Sequence, residues 1–272
     1  MARHCLITGA SSGIGAALAR AFAARGRHLV LSARRQERLE ALAAELRAAH
    51  GVAVEVVVAD LARPDGAATL LAELQRRQLA VHTLVNNAGF GLRGRFLEAS
   101  WPEAEAMLQV MVAAPLQLSH GLLPAMEAAG EGVIVNVASL AGLIPGLPGS
   151  TLYSACKALL IRFSQSLAAE TSGSGVRVLA LCPGYVRSEF HAVLGVEERM
   201  RRLPGVFWMD ADDLAARCLA ALEGRAVVQV PGALNGLIAA LAHGLPQSWA
   251  VALSTAFSHR YRRRPWQGET PN

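Results

Sequence analysis

Thr8-Gly9-Ala10-Ser11-Ser12-Gly13-Ile14-Gly15 is the stretch whose reading decides the fold. A short apolar run, Cys5-Leu6-Ile7, leads into it, and Ala16, Ala17, Leu18, Ala19, Ala21 and Phe22 follow at helical spacing as far as Gly26. The order is strand, glycine turn, helix. In that setting the glycines let a backbone approach a pyrophosphate. The helix N-terminus adds free N–H groups and the positive end of its dipole. An ordinary glycine loop is the weaker alternative. Gly9, Ser11, Ser12, Gly13, Ile14 and Gly15 are therefore candidate dinucleotide contacts.

Outward from this turn, strands and helices alternate. A second strand over 28–33 ends without the Asp or Glu that would hold an adenosine ribose 2′-hydroxyl, and Arg34 and Arg35 follow. An Arg there suits a 2′-phosphate, so the expected cofactor is NADP(H), with Arg34 as the contact. Helix-start arginines facing solvent are the alternative. A third strand over 52–59 ends at Asp60-Leu61, placed to meet the adenine, and a fourth over 81–85 ends at Asn86-Asn87-Ala88-Gly89. Two Asn after a buried strand are costly unless their amides are bonded, so they are read as pins between strands and toward the cofactor ribose. One long helix is expected over 101–130, a fifth strand over 133–138 ending at Ser139, and a sixth over 176–181 ending at Pro183-Gly184-Tyr185-Val186. Continuous apolar strands separated by helices imply a parallel sheet covered on both faces, an α/β doubly wound fold in three layers. Ligands then bind at the C-terminal strand ends.

Tyr153-Ser154-Ala155-Cys156-Lys157 supplies the candidate chemistry. The four-residue spacing puts Tyr153 and Lys157 on one helix face. Of 26 Lys and Arg residues, Lys157 is the one Lys. A chain that uses Arg for every other cation keeps a compact ammonium here. A nearby ammonium favours phenolate, and bringing a phenol from ~10 to ~7 takes about 4 kcal/mol. The functional reading is a general acid/base Tyr tuned by a Lys. The bland one is a surface Tyr and a solvated Lys.

Composition narrows the classes. In 272 residues, 53% are hydrophobic and 17% charged, enough for a sizeable core. The net charge of +5 comes from scattered arginines, which argues against a nucleic-acid footprint. Cys5, Cys156, Cys182 and Cys218 lie far apart in apolar contexts with no metal-ligand spacing. The N-terminal residues run into a strand without an apolar leader, so a cytoplasmic protein is expected.

Together the motifs Thr8–Gly15, Asn86-Asn87-Ala88-Gly89, Ser139, Tyr153-x-x-x-Lys157 and Pro183-Gly184 resemble those of the short-chain dehydrogenase/reductase family, over roughly residues 6–230. The resemblance implies a single Rossmann-type domain, here 1–231, and hydride transfer between nicotinamide and an alcohol or carbonyl carbon. It implies that Ser139 bonds the substrate oxygen, that Tyr153 exchanges the proton, and that Lys157 lowers the Tyr pKa and bonds the nicotinamide ribose. It also places Asn87, Ala88, Gly89, Pro183, Gly184, Val186 and Ser188 around the cofactor, and implies a homodimer or homotetramer. One departure stands out. The long helix of the family usually carries an Asn in a water-linked proton relay, and Met111 occupies that place; a thioether offers no amide donors. Retained activity and a weakly active NADP(H) sensor or scaffold are both open.

Residues 187–209 read as a substrate lid rich in apolar side chains, and Leu143, Ile144, Pro145, Leu147 and Pro148 approach from the Ser139 loop. A hydrophobic carbonyl or alcohol is the expected substrate. Residues 232–272 form an apolar extension with a break at Pro246 and a basic end at Arg260-Tyr261-Arg262-Arg263-Arg264. Packing over the pocket or a sister subunit, and peripheral contact with an anionic membrane, are both consistent with that pattern.

Overall fold

The structure, a computed structural model, describes residues 3–92, 94–189 and 204–262, with 257–262 as backbone only. The chain runs β1 (Arg3–Thr8), α1 (Gly13–Ala24), β2 (His28–Ala33), α2 (Gln36–His50), β3 (Val54–Val58), α3 (Gly66–Arg76), β4 (Ala80–Asn86), α4 (Trp101–Leu108), α5 (Ala114–Ala128), β5 (Gly132–Val137), α6 (Thr151–Glu170) and β6 (Val176–Leu181). Then follow β7 (Tyr185–Arg187), β8 (Trp208–Asp210), α7 (Ala211–Glu223), β9 (Val228–Gln229), α8 (Ala233–Gly244) and α9 (Gln247–Arg262).

Seven strands form one sheet in the order β3-β2-β1-β4-β5-β6-β9, every neighbouring pair parallel. Alternate residues of each strand face opposite layers. Cys5, Ile7, Leu29, Leu31, Val85, Val135 and Leu179 pack with α1, α2 and α7. Leu6, Val30, Leu84, Ile134 and Val178 pack with α3 to α6. Burial on both faces is why these strands read as continuous apolar runs. The direction of winding reverses between β1 and β4, opening a crevice at their C-terminal ends.

The structure differs from the sequence reading at several edges. β3 is shorter than 52–59, covering Val54–Val58. The helix expected over 101–130 is interrupted by a π-helical segment, Gln109–Ala113, which contains Met111. Trp101–Ala128 is the one helix, among the described residues, long and apolar enough to cross a membrane by length and composition. Its Met107, Met111 and Leu118 lie in the core, so its apolarity serves packing. Of the expected lid, 190–203 lie outside the described residues. Its two roots, β7 and β8, pair in parallel, with the Tyr185 and Trp208 rings 5.7 Å apart. Asp210 occupies the N-cap of α7, yet its carboxylate accepts from Arg187 (3.0 Å) and does not cap.

The C-terminal extension folds back on the loop after β5. Ser254 Oγ donates to the carbonyls of Pro145 (2.7 Å) and Gly146 (3.1 Å). Leu237, Leu241, Trp249 and Leu253 stay exposed on α8 and α9.

A buried amide network ties the layers together. Asn86 Nδ2 donates to Asn136 Oδ1 (2.8 Å), Asn136 Nδ2 to Ser164 Oγ (2.8 Å), and Ser164 Oγ to the Leu160 carbonyl (2.7 Å). Asn136 is fully buried, and Asn136→Ala removes the bonds it makes to Asn86 and Ser164. The expected cost is about 2 kcal/mol, read as a lower urea midpoint with an unchanged slope. A midpoint equal to wild type contradicts this role.

Candidate active site

The crevice begins at a clamp between β1 and β4. Thr8 Oγ1 donates to the Val85 carbonyl (3.2 Å) and accepts from the amides of Asn87 (3.0 Å) and Ala88 (3.1 Å). Asn87 Nδ2 returns a bond to the Thr8 carbonyl (2.9 Å). The amide that the sequence marked as costly is thus satisfied, and it fixes the glycine turn. Gly9 has φ +67°, and a Cβ there would lie 2.9 Å from both Ala88 Cα and Asn87 Nδ2, so the turn demands glycine on two grounds. Ser12 takes the N-cap of α1 in extended conformation without a side-chain cap. The hydroxyls of Ser11 and Ser12 lie between the end of β1 and the N-terminus of α1 in the chain.

A cation is already aimed at these hydroxyls. Arg35 Nη2 donates to Ser11 Oγ (3.0 Å) and Ser12 Oγ (2.7 Å), and its Nε donates to Ser11 Oγ (3.1 Å). Arg34, the expected phosphate contact, is exposed beside it. Successive residues leaving a strand point to opposite sides, and it is Arg35, at the start of α2, that turns back over the loop. With no acid at the end of β2, the donor set fits a dinucleotide bearing a 2′-phosphate. Asp60 lies past the end of β3 as expected, with its carboxylate accepting from the Ala62 amide (3.1 Å), and Leu61 beside it is buried.

Across the sheet, the ends of β5 and α6 meet. Ser139 leaves β5 in extended conformation, its Oγ accepting from the Ala141 amide (3.1 Å). The following turn lies flat on α6: a Cβ on Gly142 would fall 2.7 Å from Ala158 N. That close approach brings Ser139 within hydrogen-bonding reach of Tyr153. Lys157 is buried, donates from Nζ to the Val137 carbonyl (2.7 Å), and lies over the Tyr153 ring, 5.7 Å from its centroid.

Burial acts on both titratable groups. Burial pushes the Tyr153 phenol up to about 12, against a smaller lowering by the Ser139 hydrogen bond. Burial also pulls the Lys157 ammonium down to about 8. Desolvation is the largest influence on both groups. Tyr153 is a neutral phenol at physiological pH.

Met111 is fully buried next to this cluster. A Cβ on Gly89 would touch Met111 Sδ and Lys157 Nζ equally, at 3.7 Å each. The thioether and the ammonium therefore both border Gly89, the thioether from inside the π segment, a helix irregularity frequent at functional sites. On the other side, Asn235 donates to the Pro231 carbonyl (2.8 Å) and packs on Gly184, where a Cβ would lie 2.6 Å from its Oδ1. The C-terminal extension thus buttresses the Pro183-Gly184 turn, a contact that sequence reasoning did not find. A cleft of ≈ 750 Å³ lies between Leu143, Ile144, Leu147, Pro148 and the α8–α9 corner. Ser139, Tyr153 and Lys157 do not line it, so it is a neighbour of the site.

A family model described as short chain dehydrogenase matches residues 3–198. The chain belongs to the short-chain dehydrogenase family. It is an oxidoreductase of that family, as its relatives are named. A sulfoacetaldehyde reductase from Chromohalobacter salexigens is 41% identical over 192 residues, covering 69% of this chain and 74% of the relative. A short-chain dehydrogenase from Sphingobium yanoikuyae, solved in complex with NADPH, is similar at 34% identity and a TM-score of 0.79, covering 98% of each chain. A bulky-bulky ketone specific alcohol dehydrogenase from Comamonas testosteroni is 29% identical with a TM-score of 0.75, covering 98% of this chain and 97% of that one.

Lys157 gives a test of the electrostatics. Its folded pKa lies below its ordinary 10.5, so charging it opposes folding; the penalty is complete below pH 8 and fades as pH rises to about 10.5. Lys157→Met should therefore raise thermal stability at pH 7 by ~1–3 kcal/mol, and the gain should shrink above pH 8. A variant less stable than wild type at pH 7 contradicts a penalised buried ammonium.

Proposed function

We propose that the protein is an NADPH-dependent carbonyl reductase for a hydrophobic ketone or aldehyde, with Tyr153 as proton donor. The observation that carries this reading is the convergence of Ser139 and a neutral Tyr153 above buried Lys157, at the mouth of the nucleotide crevice. NADPH, when bound, supplies the hydride. Gly9, Ser11, Ser12, Gly13, Ile14 and Gly15 hold its pyrophosphate, Arg35 its 2′-phosphate, and Asp60 and Leu61 border the adenine. Asn87, Ala88 and Gly89 border the ribose. Pro183, Gly184, Val186 and Ser188 orient the nicotinamide.

The chain's own share of the reaction is proton handling and charge stabilisation. Ser139 and Tyr153 donate to one carbonyl oxygen and stabilise charge as it grows there. Tyr153 then passes its proton to that oxygen. A phenol near 12 is protonated throughout the neutral range, the form reduction needs, and the reverse reaction must first remove that proton. Lys157 stands behind the ring to restore it.

A hydrophobic substrate is supported by the apolar loop that follows Ser139 and by the bulky ketones named for the Comamonas relative. The sulfoacetaldehyde named for another relative is a small anion, so a substrate panel needs both kinds. The sensor alternative raised by Met111 predicts silence across that panel.

Wild type should oxidise NADPH with bulky ketones, at a kcat/KM independent of pH between about 6 and 8, because Tyr153 stays protonated there. Tyr153→Phe should lower kcat by about a thousandfold while leaving the NADPH Kd unchanged. Normal turnover by the Phe variant, or faster reduction of sulfoacetaldehyde than of every bulky ketone, contradicts the reading.

A further inference from the structure

The arginine that covers the glycine turn is already holding an anion. Arg35 Nη1 donates to Glu189 Oε2 (3.0 Å), and Arg38 Nη1 donates to Glu189 Oε1 (2.6 Å). Each carboxylate oxygen thus takes one guanidinium, while the rest of Arg35 stays on Ser11 and Ser12. Glu189 lies 154 residues along the chain from Arg35, so this contact closes the far side of the crevice onto the near side. Its neighbour Ser188 comes with it: a Cβ built on Gly13 would meet Ser188 Cβ at 3.0 Å. The two arginines hold the Glu189 carboxyl below its ordinary range, Arg38 most strongly, so the group is an anion at neutral pH.

We infer that Glu189 is an internal stand-in for the cofactor 2′-phosphate: carboxylate and phosphate compete for the same two guanidinium groups, Arg35 and Arg38. The inference rests on the NADP(H) reading above and adds Arg38 and Glu189 to the determinants of cofactor affinity. The chemistry of the exchange is like for like. A carboxylate offers two oxygens and one negative charge; a phosphate monoester offers three oxygens and about −1.5 to −2 at pH 7, so it displaces the carboxylate. The carboxylate, tethered in the same chain, keeps the advantage of high effective concentration until then. All three side chains are about half exposed, so the ion pairs are screened and the exchange is reversible. NADH carries no 2′-phosphate and gains nothing from the exchange.

The test is equilibrium binding of four probes, NADPH, NADH, 2′,5′-ADP and 5′-AMP, to wild type and Glu189→Gln, followed by calorimetry. The variant should bind NADPH and 2′,5′-ADP about three- to tenfold more tightly, because the competing anion is gone, and NADH and 5′-AMP as before. Unchanged or weaker 2′,5′-ADP binding by the variant overturns the stand-in while leaving the cofactor reading intact. Equal tightening of NADH also overturns it, since relief would then come from the pyrophosphate course. A wild type that binds 2′,5′-ADP no better than 5′-AMP overturns the NADP(H) reading itself.

Discussion

A buried ammonium must be partnered, and the partnering of Lys157 organises this site. Its Nζ reaches the Val137 carbonyl at the last residue of β5, and that bond fixes how α6 lies on the sheet. Ser139 is two residues beyond Val137, and Tyr153 is one helical turn before Lys157. Docking one charge therefore sets the position of both hydroxyls. Gly142 permits the contact by letting the intervening turn lie against the α6 backbone. The same burial that penalises the ammonium keeps the phenol neutral, so packing and chemistry have one cause.

Much of this was legible in the sequence because it depends on local pattern. The glycine turn between an apolar run and a helical run read as a strand–turn–helix unit. Period-free apolar strands implied a sheet covered on both faces, and the Tyr153–Lys157 spacing implied a shared helix face. What was not legible depends on burial or on one-residue geometry. Arg34 and Arg35 are equivalent in a sequence, and only the turn into α2 decides which one covers the loop. The sign of the Tyr153 shift required knowing how strongly the surrounding structure desolvates its hydroxyl. The π segment at Gln109–Ala113 has no helix-breaking residue to announce it. Asn136 was hidden inside an apolar strand, and its partner Ser164 lies on a helix 28 residues away.

The two sides of the crevice are chemically distinct. One side is built from hydroxyls, a helix N-terminus and guanidinium groups, and suits phosphate. The other places two neutral hydroxyls above a buried cation and suits an oxygen whose charge grows during reaction. Glu189 links the sides, because the segment that follows β7 reaches across to Arg35 and Arg38. The C-terminal extension contributes from behind, through Asn235 on Gly184 and Ser254 on the loop after Ser139.

The most direct test of hydride transfer with Tyr153 as proton donor follows the transferred atom. NADPH deuterated at nicotinamide C4, as each of the two stereoisomers, is incubated with a bulky aryl ketone, and the alcohol is examined by mass spectrometry and NMR. The account predicts one deuterium on the carbinol carbon from one stereoisomer with wild type, and labelled alcohol formed about a thousandfold more slowly with Tyr153→Phe. Absence of labelled alcohol from wild type with both stereoisomers, or equal labelling by Tyr153→Phe, would contradict it.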